Sequence, residues 1–95
     1  MTAYIVASID VHDPEQYEAY KSAVIASITA YGGKYLVRGG KILRLEGDWN
    51  PKRFVVVEFP SAAQAKAWWE STDYAGPKRL RQSSAETDMF IVEGV

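Results

Sequence analysis

The stretch that decides the fold of this chain is YGGKYLVRGG at residues 31–40, with EGDW at 46–49 and VVVEFP at 55–60 following it. Gly32 supplies the left-handed residue that commonly ends a helix, and a strand-like run starts directly after it. The paired glycines Gly39 and Gly40 permit a bulge or a sharp bend without a β-carbon clash. This stretch therefore predicts a helix that ends at Gly32 and leads into a bent strand.

The predicted bent strand runs from about Lys34 to Glu46. Turn-forming residues follow it at Asp48–Pro51, and a β-branched run resumes from Arg53 to Phe59, where Pro60 stops it. Two strands joined by turn chemistry predict an antiparallel hairpin.

The residues before this stretch predict one strand and one helix. From Ala3 to Val11, apolar and polar residues alternate as on a strand that has one buried face. Asp13 and Pro14 suit the N-cap and the first position of a helix, and Gln16 lies where a capping box would reach back. The buried stripe of that helix recurs at three- and four-residue spacing: Tyr17, Tyr20, Val24, Ile28 and Tyr31.

The residues after the hairpin predict a second helix, a shorter polar helix and a last strand. Ser61 and Gln64 repeat the spacing of a capping box, so the second helix starts there. We expect Asp73–Pro77 to break that helix and a short helix to follow from about Pro77 to Ala85. The last predicted strand is Met89–Val92.

The predicted order is β-α-β-β-α-β, the ferredoxin-like arrangement of the α+β class. It places both main helices on one face of a four-stranded antiparallel sheet, within a single domain that covers residues 1–95. Because the other face of the sheet is left uncovered, we expect a homodimer in which two such sheets pack together as a dimeric α/β barrel.

The amino-acid composition limits which binding partners and which cellular compartment we expect. The chain has 11 Lys and Arg against 12 Asp and Glu, so no net field draws it to nucleic acid or to an anionic membrane. It contains no cysteine, which excludes disulfides, thiolate metal sites and cysteine nucleophiles. Residues 1–6 resemble a strand and not a signal peptide, and no apolar run is long enough to span a membrane. We therefore expect a cytoplasmic protein that binds neither nucleic acid nor membrane.

The opening stretch, together with Asp13–Pro14 and Glu93–Val95, resembles a bacterial family of undefined role, the domain of unknown function DUF1330. The resemblance covers essentially the whole chain and implies a dimeric α/β barrel. The wider superfamily that it implies includes cofactor-free quinone-forming monooxygenases, haem-degrading enzymes, muconolactone isomerases and non-enzymatic stress proteins. The resemblance identifies no catalytic residues, because proteins that share one fold catalyse many different reactions.

Glu58 and Arg38 are the candidate functional residues of the hairpin. Glu58 lies in an apolar strand, where burial raises a carboxyl pKa and makes a general base or acid. Arg38 precedes the predicted bend and could bind an anionic ligand through two hydrogen bonds. An internal structural ion pair between Arg38 and Glu58 is the alternative, because such pairs also form without any function.

The aromatic residues of the helices fill the core or line a pocket for an apolar ligand. Tyr20 and Trp69 lie on opposing helices, so they are the two that we expect to flank a planar ligand. His12 is the only histidine, and although Asp10, Asp13 and Glu15 surround it, no second histidine is available for a common zinc or iron site. We therefore predict no metal and no cofactor.

Two further motifs carry no predicted function. The basic run from Lys78 to Arg81 is predicted to be a solvated helix face or to pair with acids of another subunit, such as Glu86 and Asp88. The glycine pairs lack the spacing of a phosphate-binding loop.

The leading hypothesis is a cofactor-independent homodimer that binds a small aromatic or carboxylated molecule and oxidises or isomerises it with Glu58 as base. The rival is a non-catalytic ligand-binding or stress-associated dimer in which Arg38 and Glu58 only stabilise the barrel. The residues alone do not decide whether the protein is an enzyme.

Overall fold

The computed structural model describes all residues from 1 to 95. Its elements follow the order β-α-β-β-α-α-β. They are β1 (Ala3–Val11), α1 (Pro14–Ala30), β2 (Lys34–Arg38), β3 (Arg53–Phe59), α2 (Ala62–Glu70), α3 (Thr72–Ser84) and β4 (Ala85–Glu93).

The four strands form one antiparallel sheet in the order β2-β3-β1-β4. Along β1, the buried residues Ala3, Ile5, Ala7 and Ile9 alternate with less buried ones, as the sequence predicts. Ile5, Ala7 and Ile9 belong to the same hydrophobic core as side chains from all three helices. The ferredoxin-like fold, with its helices on one face of the sheet, is confirmed, and we call the other face the open face.

Helix α1 begins and ends where the sequence indicates. The Asp13 side chain accepts a hydrogen bond from the Gln16 backbone N–H at 3.2 Å, and Pro14 occupies the first helical position. Gly32 follows the helix with a φ of 77°, in the left-handed region. The buried face of α1 consists of Tyr17, Tyr20, Val24, Ser27 and Ile28.

The expected strand from Lys34 to Glu46 is wrong in length. Strand β2 stops at Arg38, and its bulge lies at Leu36, between Tyr35 and Val37, and not at the paired glycines. Gly39 has a φ of 71°, and residues 39–52 leave the sheet as an exposed loop. A left-handed residue directs the chain away from the extended path, so the glycines end the strand and do not bend it.

The boundary between α2 and α3 also differs from the prediction. The break lies at Ser71, whose hydroxyl accepts from the Tyr74 N–H at 3.1 Å and donates to the Trp68 carbonyl at 2.7 Å. Ser71 therefore closes one helix and caps the next. Helix α3 then runs through Gly76 and Pro77, two of the residues that were expected to break the helix.

Strand β4 starts at Ala85, earlier than expected, directly after the end of α3. The Ser84 carbonyl accepts hydrogen bonds from the backbone N–H groups of His12 and Asp13, which fixes this corner to the start of α1. None of the three helices has both the length and the apolar character that crossing a bilayer requires.

Candidate functional site

A narrow cavity lies between α1 and the helix-covered face of the sheet, and we call it the central cavity. Only about 20 Å³ of it is open to the centre of a water molecule, so it has room for about one water before it opens for a larger ligand. Its walls are mostly apolar, and its charged residues are all cations: Lys21, Arg38 and Arg53. No acidic side chain lines it, so the electrostatic potential inside favours an anion.

Arg38 lies at the end of β2, on the helix side of the sheet. Its Nη2 donates to the Lys21 carbonyl at 3.3 Å, and its guanidinium carbon lies 4.7 Å from the centre of the Tyr35 ring. No carboxylate lies within 4.0 Å of it, since the one salt bridge of the chain joins Lys21 and Glu18. Arg38 therefore keeps most of its donors free for a ligand.

Arg53 enters the same cavity from the start of β3. Its Nε donates to the Tyr17 hydroxyl at 3.1 Å, and its guanidinium carbon lies 5.5 Å from the centre of that ring. Its side chain also fills the space beside Gly39, where a β-carbon would overlap the guanidinium. The glycine that ends β2 thus makes room for a cation of the cavity.

Tyr20 projects from α1 into the cavity and belongs to a buried polar chain. Its hydroxyl lies 3.1 Å from the Tyr74 hydroxyl, which accepts a hydrogen bond from Arg81 Nε at 3.1 Å. Burial raises the pKa of Tyr20 far above its usual value, the neighbouring Tyr74 raises it further, and Arg81 opposes this only in part. Tyr20 is therefore a neutral hydrogen-bonding group and not a phenolate.

Tyr35 faces Arg38 from within β2. Burial raises the pKa of its hydroxyl, although the charge of Arg38 acts in the opposite direction. Both tyrosines thus remain protonated at neutral pH, and both line the cavity.

The structure brings together only some of the predicted site residues. Arg38 and Tyr20 line the same cavity. Trp69 does not, because its neighbour Trp68 is the indole that packs inward, where Trp68 Nε1 donates to Ser27 Oγ at 3.1 Å. Trp69 instead lies in a surface groove beside β4.

The expected pairing of Arg38 with Glu58 does not occur within the chain. Arg38 lies opposite Val55 in the β2–β3 register, on the helix side, whereas Glu58 lies opposite Lys34 and Tyr4 on the open face. The bulge at Leu36 shifts the alternation of β2 by one residue, which no single-strand pattern reveals. The sheet therefore separates the predicted base from the cavity.

Lys21 and Arg53 line the cavity but are not among the candidates drawn from the sequence, and Trp68 lines it in the place expected of Trp69. Arg81, predicted to belong to a solvated basic run, is buried against Tyr74. Helical spacing is the feature of the sequence that indicates this burial. Tyr74 and Arg81 are seven residues apart and so share one face of α3.

Solved structures confirm the fold at low sequence identity. A protein of unknown function from Rhodopseudomonas palustris is 19% identical with a TM-score of 0.78, and the match covers 99% of this chain and 82% of that one. SnoaB, a cofactor-independent oxygenase from Streptomyces nogalater, is 10% identical with a TM-score of 0.69, covering 99% and 93%. An uncharacterized NIPSNAP domain protein from Burkholderia xenovorans is 13% identical with a TM-score of 0.58, covering 100% and 95%.

No curated protein matches this chain in sequence. A family model does match, and it covers residues 2–95, which is the stretch that forms the sheet, the three helices and the central cavity. The chain belongs to the family described as Domain of unknown function (DUF1330).

Proposed function

We propose that this protein is a cytoplasmic homodimer that binds a small aromatic anion in the central cavity of each subunit. The observation that carries the proposal is the pair of guanidinium groups, Arg38 and Arg53, in one cavity wall that no carboxylate neutralises. Guanidinium groups bind carboxylates and phenolates through charge-assisted hydrogen bonds.

The apolar part of the ligand follows from the rest of the wall. The rings of Tyr17, Tyr20, Tyr35 and Trp68 surround the space that the two cations face. Aromatic walls with a few polar groups are typical of pockets for flat apolar ligands. Because the cavity is narrow, a ligand enters by displacing the exposed Arg38 side chain, which one long hydrogen bond holds.

Calorimetry with a matched pair of probes tests this proposal. Salicylate carries a carboxylate and salicylamide is its neutral counterpart, so the difference in their affinities isolates the charge. We expect salicylate to bind and salicylamide to bind at least about tenfold more weakly, a difference of about 1.4 kcal/mol.

Substitutions on one strand supply the control. Arg38→Gln removes a cation of the cavity, and Lys34→Gln removes a cation of the same strand on the open face. We expect the first to weaken salicylate binding about tenfold and the second to leave it unchanged. Equal affinity for the two probes, or equal effects of the two substitutions, would contradict the proposal.

A second candidate function is cofactor-independent oxygenation of the bound anion. The cationic cavity favours the ionised form of a phenol, and SnoaB, which shares the fold, is a cofactor-independent oxygenase. With 1-naphthol as the probe, one O₂ is consumed and one 1,4-naphthoquinone and one water are formed. An oxygen electrode together with the quinone absorbance tests this, and oxygen uptake no faster than without protein would reject it.

Glu58 is the proposed base for the alternative in which 1-naphthol is oxidised on the open face of the sheet and not in the central cavity. Since Glu58 lies on the open face, its role requires a substrate that is held there and not in the central cavity. Glu58→Gln should then abolish turnover of 1-naphthol and leave salicylate affinity unchanged. Full turnover by this variant would remove Glu58 from the mechanism.

A row of apolar side chains across the open face supports the proposed homodimer. The strand registers place Val37, Val56, Val6 and Phe90 side by side, one from each strand. All three helices pack on the opposite face, so a second copy of the sheet is the natural cover for this row.

A further inference from the structure

Arg81 is the only charged residue that the fold buries, with 5% of its surface exposed. Its Nε donates to the Tyr74 hydroxyl, and no carboxylate lies within 4.0 Å of it. A guanidinium group has five N–H donors, so four of them have no protein partner. Burying most of a cation without a counter-charge is costly. The free donors of Arg81 keep some contact with solvent, because Thr87 Oγ1 is the one fully screened side-chain atom without a partner.

Thr87 supplies a second unmet polar group in the same place. Its Oγ1 is screened from water and has no hydrogen-bond partner. The β1–β4 register places Thr87 opposite Ile9, so its side chain lies on the helix side of the sheet. Arg81 and Thr87 line one surface groove of about 300 Å³, together with Trp69, Gln82, Ala85 and Met89. We call this the α3–β4 groove.

The far end of the groove is apolar. Trp69 and Met89 also line a neighbouring depression that continues along β4 past Phe90 and Ile91. The cation of Lys78 lies 3.8 Å from the centre of the Trp69 ring, which holds the indole in place. The groove thus joins a polar end, where donors are unmet, to an apolar end.

We propose that the α3–β4 groove binds a small carboxylate that carries an apolar group. The Nη groups of Arg81 bind the two carboxylate oxygens. The Thr87 side chain turns about its Cα–Cβ bond, so that its hydroxyl, which is screened in the free protein, donates to one of them. The apolar group lies against Trp69 and Met89. This site is separate from the central cavity, with which it shares only the side chain of Met89.

A titration followed by NMR tests this inference on the intact protein. The probe is 3-phenylpropionate, and its neutral control is 3-phenylpropionamide. We expect saturable shifts of the Arg81 Nε–H and the Thr87 amide with the carboxylate, and at least about tenfold weaker binding of the amide. Inorganic phosphate, which lacks the apolar group, should bind more weakly than 3-phenylpropionate.

The decisive variant is Thr87→Val, because truncating Arg81 would also remove the donor to Tyr74. Valine keeps the shape of threonine and removes the unmet hydroxyl. We expect about threefold or greater loss of 3-phenylpropionate affinity with no fall in melting temperature, since a buried hydroxyl without a partner does not stabilise the fold. Thr29→Val, an exposed change on α1, is the control and should alter neither quantity.

Several results would overturn the inference. They are the absence of saturable shifts at Arg81 and Thr87, equal effects of Thr87→Val and Thr29→Val, and phosphate binding as tight as that of 3-phenylpropionate. Arg38→Gln separates this site from the central cavity, because it should leave the Arg81 shifts intact. Shifts that disappear in Arg38→Gln would place the probe in the central cavity and reject the groove as a site.

Discussion

Tyr20 shows how burial and charge compete at a single residue. Its hydroxyl is in contact with Tyr74, which in turn accepts from the buried cation Arg81. The cation favours a phenolate, but desolvation is the larger influence and the pKa rises. Tyr20 therefore stabilises the fold only in its neutral form.

This competition predicts the stability at high pH. Tyrosine in the unfolded chain ionises near pH 10, whereas folded Tyr20 keeps its proton to higher pH. Above about pH 10 the unfolded state binds fewer protons than the folded state, so the free energy of unfolding falls as the pH rises. Urea unfolding at pH 8 and at pH 11 measures this fall. We expect a smaller fall for Tyr20→Phe than for the native protein, and an equal fall would contradict the assignment.

The end of β2 is the element on which the cavity depends. Gly39 adopts a left-handed conformation and leaves the space that the Arg53 side chain fills. Backbone conformation at one glycine thus controls the position of a binding group.

Two adjacent substitutions test this element. Gly39→Ala places a β-carbon in the left-handed region, which costs about 1–2 kcal/mol, and also displaces Arg53. Gly40→Ala is the matched control, since nothing lies within 4 Å of its β-carbon position. Urea unfolding should show the loss for Gly39→Ala alone, and calorimetry should show weaker salicylate binding for that variant. Equal behaviour of the two variants would contradict this role of Gly39.

These elements also show what the sequence could and could not predict. Local signals placed β1, α1 and β3 well, because alternation, capping and helical spacing are properties of short segments. The predicted end of β2 was wrong because paired glycines occur both at bends within a strand and at the ends of strands, so the sequence alone does not distinguish the two. The separation of Arg38 from Glu58 depends on the bulge at Leu36, and the inward choice between Trp68 and Trp69 depends on how α2 packs. Both depend on tertiary contacts.

At the scale of the whole molecule, one face of the sheet remains without helices. The apolar row across it ends at Phe90, which is 50% exposed. The loop 39–52 adds further exposed apolar side chains, among them Leu43 and Leu45. Exposed apolar surface of this kind is what a second subunit would cover in the proposed dimer.

Two separate variants test the dimer, one with a new charge on the open face and one with a new charge on helix α1. Phe90→Glu buries a carboxylate in the proposed interface, whereas Ile25→Glu, at a residue 42% exposed on α1, does not. Sedimentation equilibrium should show a dimer for the native protein and for Ile25→Glu, and a monomer for Phe90→Glu. A native protein that is monomeric at micromolar concentration would refute the dimer.

The location of a bound aromatic anion is the most direct test of the central cavity. In protein with labelled methyl groups, nuclear Overhauser effects from the ring protons of salicylate identify the methyls that it contacts. We expect contacts to Val24, Val55 and Val57, which line the central cavity and not the α3–β4 groove. Contacts to Val6, Val56 and Val92 instead would place the ligand on the open face and contradict a binding site between α1 and the sheet.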